Sequence, residues 1–319
     1  MGITERIDAI THLKGDRLQP VLAAPKSVKI ELTGRCNFSC GFCARGDGLR
    51  RQEEMDRDLY RRLVREMHAA GVEELGMFYL GESFLCGWLA EAIEYAKIEG
   101  FPYVFLTTNG SLCSAGRLES VFKAGLDSLK FSFNFADEAQ FAQVTGTKAA
   151  LYERVRTNVM ASRLVRDKVE AETGHRCGLY ASYIEYDGEQ GEKMAPNVEW
   201  LRGIVDEVYA LPLYNQGGFC SKKLRDQHEA WEQTAGNMGR VGALVPPLPC
   251  WAVFSEGHIT WDGQLSACCF DHNASFTMAD LTKVSFEEGW NSQVFQDLRA
   301  AHLRKDVRGT ACESCVAWQ

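Results

Sequence analysis

The chain has 319 residues, 45% of them apolar and 24% charged, and a formal net charge of −8. This length holds one large or two modest domains with a sizeable core. The acidic balance argues against a nucleic-acid face, which needs clustered Lys and Arg. The start "MGITERIDAITHLKGD" lacks a signal peptide's basic start and apolar core, and no apolar run is long enough to span a bilayer. The expectation is a cytoplasmic protein with neither nucleic-acid nor membrane partners.

Residues 1–26 read as a helical lead-in and a Pro-containing linker. "SVKIELT" from Ser27 is a β-rich run. "DRDLYRRLVREMHAAG" places Leu59, Leu63 and Met67 at helical spacing, with Asp56 as N-cap and Gly71 as stop. "ELGMFYLGE" reads as a strand, "FLCGWLAEAIEYAKIEG" as a helix, and "YVFLTTNG" as a strand ending in a turn. "RLESVFKAG", "SLKFSFNF", "ALYERVRTNVMASRLVRDKVEAE", "GLYASYIEY", "GEKMAPNVEWLRGIV" and "EVYALPLYN" continue the alternation to about Asn215. Six β/α units over 27–215 predict a parallel sheet curled into a partial (β/α)6 TIM-like barrel, an α/β fold. Residues 216–249 carry Gly and Pro breakers and read as a linker or insertion. Residues 250–319 form a small cysteine-rich domain that a metal centre would stabilise.

Twelve cysteines are many for a reducing compartment, where disulfide frameworks are rare. Three stand close together in "CNFSCGFC": Cys36, Cys40 and Cys43, just past the first strand, where barrel enzymes place their chemistry. A cubane iron–sulfur cluster takes four thiolates. Three leave one iron open for a small molecule, as a catalytic zinc keeps a position free for its substrate.

C-x3-C-x2-C after the first strand of a β/α chain resembles the radical S-adenosylmethionine (radical SAM) superfamily. The resemblance implies that the open iron chelates the amino and carboxylate groups of S-adenosylmethionine and that Phe42 packs near the adenine. Further positions match in order. "LGES" keeps Gly81 and Glu82 of the family's Gly-Gly-Glu-Pro, with Glu82 expected to face the methionine ammonium. "TTNG" supplies Thr108 and Asn109, "KFSFN" supplies Ser132 and Asn134 near ribose and carboxylate, and "GLYASYIE" supplies Ser182 and Glu185. On the residues alone, Glu82 also suits a helix N-terminus and Asn109–Gly110 a turn.

The second constellation is Cys250, Cys268, Cys312 and Cys315. "HITWDGQLSACC" predicts a hairpin turning at Asp262–Gly263, which returns Cys268 towards Cys250. "FEEGWNSQVFQDLRAAHLR" is an amphipathic helix that carries the chain back to "ACESC". Four thiolates close one cluster, although they also suit structural zinc. The pattern resembles the SPASM/twitch extension of the same superfamily. With Gln319 four residues past Cys315, the expectation is a single auxiliary [4Fe-4S] cluster of the twitch type, used for electron transfer.

The resemblance implies reductive cleavage of S-adenosylmethionine to a 5′-deoxyadenosyl radical, with a flavodoxin- or ferredoxin-type donor supplying the electron. It further implies hydrogen abstraction from the substrate. The twitch likeness favours oxidation of a small polar substrate, carbohydrate or aminocyclitol-like, with the auxiliary cluster as electron acceptor. An epimerase would need a thiol hydrogen donor, for which Cys220 and Cys269 are the candidates. A peptide maturase is the third outcome, although only about 26 residues precede the first strand, too few for a leader-binding domain. A zinc-binding structural or redox-sensing protein is the non-enzymatic alternative. His258, Asp271 and His272 are candidate bases, and Cys86, Cys113 and Cys177 read as buried filler.

Overall fold

The computed structural model describes residues 2–43, 51–186, 188–216, 236–271 and 274–316. Six parallel strands follow the chain: β1 Ser27–Ile30, β2 Glu74–Gly76, β3 Tyr103–Thr108, β4 Ser128–Ser132, β5 Gly178–Ile184 and β6 Glu207–Leu211. Each pairs with its sequence neighbour in parallel register. The helices between them are α2 Arg57–Ala69, α3 Leu89–Ile98, α4 Ala115–Lys123, α5 Glu138–Thr145, α6 Leu151–Thr173 and α7 Gly188–Arg202. The α/β partial barrel expected from the alternation is what the chain forms.

The local chemistry explains the elements. Asp56 caps α2 by accepting from Asp58 N (3.0 Å) and Leu59 N (2.9 Å), and Gly71 closes the turn at φ +91°. Tyr60, Leu63, Val64 and Met67 form its buried face. In β4, Leu129 and Phe131 are buried and Lys130 lines the barrel lumen, so the strand's period of two separates packing from chemistry. Two expected strands are shorter than read: "ELGMFYLGE" keeps only Glu74–Gly76, and "SLKFSFNF" stops at Ser132.

The C-terminal part does not stand apart. After α8 (Ala252–Ser255), β7 (Glu256–Ile259) pairs in parallel with β1, and β8 (Gln264–Ser266) and β9 (Thr277–Asp280) follow antiparallel. One nine-stranded sheet results, ordered β6-β5-β4-β3-β2-β1-β7-β8-β9. The β7–β8 hairpin turns at Gly263 (φ +80°) as the Asp-Gly signal predicts. The single amphipathic helix expected after it is two, α9 (Phe286–Trp290) and α10 (Gln293–Leu303). Ser292 caps the second by accepting from Phe295 N at 3.2 Å, which breaks the run. A short α11 (Glu313–Val316) carries Cys315.

The N-terminal lead-in is a barrel stopper. In α1 (Ile3–Thr11), Arg6 pairs with Glu74 at 2.8 Å and lies 3.3 Å over the Tyr103 ring, while Ile3 N donates to Glu207 at 2.9 Å. These partners sit at the amino ends of β2, β3 and β6. α1 therefore sits against the amino ends of these strands, at the end of the barrel away from the cysteine loop that follows β1.

Candidate active site and cluster centres

Cys36, Cys40 and Cys43 are half-buried in the loop after β1. The loop is pinned by α5, an element the sequence reading missed. Ser39 N donates to Thr145 O (2.8 Å) and Gly41 N to Val144 O (2.9 Å), and the left-handed Gly146 ends the helix beside Ser39. On the other side, a Cβ at position 81 would overlap the Thr33 carbonyl oxygen and lie 2.8 Å from that of Arg35. Gly81 is thus required by the close approach of two backbones, and Glu82 N donates to Arg35 O at 2.7 Å.

The Glu82 carboxylate is buried. It accepts from Thr108 Oγ1 (2.8 Å), Asn109 N (2.8 Å) and Phe84 N (3.1 Å). Burial raises its pKa, and these donors oppose the rise. It caps a 3-10 turn at Ser83–Leu85 and braces the end of β3, so the helix-terminus reading describes its observed contacts. Asn109 extends the brace: its Nδ2 donates to Asn37 Oδ1 (2.9 Å) and lies 4.0 Å from Cys36 Sγ, while its Oδ1 accepts from Ser111 Oγ (2.7 Å). Asn37 donates in turn to Ser111 Oγ at 2.8 Å. Neither Asn37 nor Ser111 was singled out from sequence, although the Asn inside the cysteine run was the available signal.

The remaining expected contacts spread over the β4–β6 ends. Ser132 and Ser182 are register partners. Asn134 Oδ1 accepts from Ile184 N at 3.1 Å. Phe42 packs on a small apolar cluster of Ala136, Ile184, Tyr186, Met194 and Leu213. Glu185 is exposed just past β5, with its N–H on Leu211 O.

The four C-terminal cysteines converge. Cys250, Cys268, Cys312 and Cys315, all buried, line one apolar cavity with Pro247, Val253, Phe270, Phe276 and His302. Burial pushes the Cys250 thiol up to about 12, with Cys315 adding to the rise. Among the described residues no three such side chains are grouped tightly enough to hold a single metal ion, so four thiols spread around one dry cavity suit a wider iron–sulfur cluster that would hold them as thiolates. Phe270 N donates to Cys268 Sγ at 3.4 Å. His302, also missed from sequence, is fully buried: its Nδ1 accepts from Cys250 N (3.1 Å), which leaves Nε2–H to donate to Cys312 Sγ (3.3 Å). Burial lowers its pKa to about 4, so the ring is neutral.

A second cavity, about 260 Å³, occupies the barrel lumen. Ile3, Ile7 and Ile10 floor it; Lys29, Phe105, Lys130, Tyr209 and Glu256 form its wall; Cys269 and Phe270 reach it from the C-terminal part. Adjacent cysteines therefore face different cavities, Cys268 the four-thiol one and Cys269 the lumen, and Asn237 and Phe270 border both. Asn237 Nδ2 donates to Cys269 Sγ at 3.2 Å. The candidate bases His258 and Asp271 are not in this wall. His258 is buried with Nε2 3.0 Å from Glu256, its pKa lowered by burial, and Asp271 accepts from Ser266 Oγ at 2.8 Å. Cys220 and His272 lie outside the described residues. Cys86, Cys113 and Cys177 are buried core.

A three-thiol loop after the first strand of a parallel partial barrel, with four further thiols around one cavity, is the arrangement of an iron–sulfur enzyme. Residues 30–169 match the Radical SAM superfamily, and residues 250–316 match SPASM, an iron-sulfur cluster-binding domain. A GTP 3′,8-cyclase of Xanthomonas campestris pv. campestris is 31% identical over 276 residues, 77% of this chain and 79% of that protein. A probable GTP 3′,8-cyclase of Methanothermobacter marburgensis is 30% identical over 133 residues, 42% of each. The chain thus spans about two fifths of that relative's length.

Among solved structures, Streptococcus suis SuiB bound to precursor peptide SuiA superposes with a TM-score of 0.63 at 15% identity, covering 88% of this chain and 68% of that one. BtrN in complex with AdoMet and 2-DOIA gives 0.54 at 17%, covering 87% and 86%. These two likenesses are of fold. The chain belongs to the radical SAM superfamily and carries a SPASM domain; its cofactors are S-adenosylmethionine and two [4Fe-4S] clusters. No helix among the described residues is long and apolar enough to cross a membrane.

Proposed function

We propose that this enzyme acts on a small polar substrate held in the barrel lumen, and that Cys269 returns a hydrogen atom to the substrate radical, inverting one carbon centre. The observation that carries this reading is the Cys269 side chain in the lumen wall, hydrogen-bonded by Asn237. Cys36, Cys40 and Cys43 would hold the cluster with the open iron, and Cys250, Cys268, Cys312 and Cys315 the auxiliary one. When bound, S-adenosylmethionine and the first cluster supply a 5′-deoxyadenosyl radical that takes a hydrogen atom from carbon. An S–H bond is weaker than an alkyl C–H bond, so a thiol at the cavity wall completes the exchange. One electron and one proton then reset the sulfur, with a flavodoxin- or ferredoxin-type protein as the ultimate electron source. Asn109, Ser132, Asn134 and Ser182, near or just past the carboxyl ends of β3, β4 and β5, would orient S-adenosylmethionine, with Phe42 against the adenine. Glu82, Gly81 and Thr108 hold that rim in place, and Glu185 lies at its edge.

A second reading is two-electron oxidation, and a separate observation favours it: Asn237 and Phe270 separate the lumen from the four-thiol cavity by a single shared wall, a short path for an electron. Turnover in deuterated buffer against a panel of carbohydrates and aminocyclitols separates the two. Inversion gives a product of unchanged composition carrying one solvent deuterium, lost in Cys269→Ala while 5′-deoxyadenosine still forms. A product two hydrogens lighter supports oxidation. A cyclised nucleotide or a modified peptide, as the names of the GTP 3′,8-cyclases and the SuiB–SuiA complex suggest, would overturn both.

A further inference from the structure

Lys130 stands in the middle of β4 between buried Leu129 and Phe131, and its side chain enters the lumen. Among the described residues no carboxylate pairs with it. The other charged groups in that wall are already satisfied: Lys29 holds Glu256 at 2.7 Å, and Arg6 holds Glu74 at 2.8 Å. Among the described residues, three cations and two carboxylates line the cavity, and the cation without a carboxylate partner is Lys130. The Tyr209 ring, 5.8 Å from Nζ, is a weak partner for this half-buried ammonium. Trp251 lines the same cavity, and its buried indole N–H has no acceptor among the described residues.

A half-buried ammonium without a counter-charge is costly unless something neutralises it. Burial, with Lys29 adding like-charge repulsion, depresses its pKa to about 8, which still leaves it mostly charged at neutral pH. Neighbouring barrel positions show how this chain normally treats such a charge, which is to give it a carboxylate. At Lys130 that partner is left to the occupant of the cavity.

Resting on the lumen as the substrate site, we propose that Lys130 is an anion subsite and that the substrate carries a carboxylate or phosphate group seated against it. Lys130 and Cys269 line the same cavity, so a substrate anchored at Lys130 by its charged end would be held with its reacting carbon in the lumen that Cys269 faces.

The test uses the anaerobically reconstituted holoenzyme with S-adenosylmethionine bound, titrated calorimetrically with inorganic phosphate and, separately, with acetate. Wild type should bind at least one of the two, and the arm that binds names the group. Lys130→Met should weaken that binding at least tenfold while iron content and melting temperature stay unchanged. Lys130→Arg should retain it, since a guanidinium keeps the charge. Equal affinity in wild type and Lys130→Met, or loss of binding in Lys130→Arg as in Lys130→Met, would overturn the proposal; the second result would point to the neutral amine as a base. The outcome is independent of the hydrogen-return reading. Deuterium incorporation that depends on Cys269, with anion binding indifferent to Lys130, would leave that reading standing and this one refuted; the reverse pattern would do the opposite.

Discussion

Gly81→Ala is the smallest change that tests how the cysteine loop is held. The added methyl would overlap the Thr33 carbonyl oxygen and sit 2.8 Å from that of Arg35. Both obstacles are backbone, so no rotamer change relieves them. The 33–35 segment or the β2 end must move, and the Glu82 N–H bond to Arg35 O (2.7 Å) lies directly in that movement. Overpacking of this kind costs about 1–3 kcal/mol, which for a chain of this size is a fall of a few degrees in melting temperature. The local effect should be larger than the global one, because Cys36 is the next residue along. Anaerobic reconstitution should leave the variant with about half the iron of wild type, the auxiliary cluster intact and the first one lost or labile. Iron and sulfide analysis, visible absorbance and 5′-deoxyadenosine formation under dithionite are the assays. A Gly81→Ala protein with full iron and wild-type cleavage would refute the claim that this backbone contact positions the loop.

Two further predictions concern the core. His302→Leu removes the N–H donor to Cys312 Sγ; hydrogen bonds to cluster sulfurs favour the reduced state, so the auxiliary cluster's midpoint potential should fall in an EPR-monitored titration. An unchanged potential would contradict that contact. For the Lys29–Glu256 pair, burial alone would raise the Glu256 pKa, but Lys29 and His258 bring it down to about 2. A depressed carboxylate stabilises the fold above its ordinary unfolded value and loses that contribution as pH falls towards 2. The stability deficit of Glu256→Gln in urea unfolding should therefore be largest near neutral pH and shrink between about pH 4.5 and about 2; a constant deficit would refute the pairing.

Most of the barrel was legible because its helices and strands differ in period and its boundaries carry caps, as at Asp56 and Gly71. The three-cysteine loop stood out because close spacing of one residue type is a local signal, and Cys250, Cys268, Cys312 and Cys315 because a predicted hairpin and a returning helix could bring them to one place. What sequence did not show is long-range. The pairing of β7 with β1, which makes one sheet of the barrel and the C-terminal part, joins residues more than two hundred positions apart. The seating of α1 under the barrel depends on Arg6 finding Glu74 and Tyr103. That Cys268 and Cys269 face different cavities follows from how the end of β8 meets the lumen. Lys130 alone left a trace, a lysine between buried apolar residues in a short strand, and that trace was readable only once the alternation of β4 was given a lumen to point into.

In the reading proposed above, the chain divides its clusters, one open to S-adenosylmethionine at Cys36, Cys40 and Cys43 and one closed at Cys250, Cys268, Cys312 and Cys315. EPR of the reduced, anaerobically reconstituted protein tests it most directly. In wild type, adding S-adenosylmethionine should alter the signal of one cluster and leave the other unchanged. In the Cys36→Ala/Cys40→Ala/Cys43→Ala variant about four irons per chain should remain, with a signal indifferent to S-adenosylmethionine. A triple variant whose remaining signal still shifts on adding S-adenosylmethionine would contradict the account.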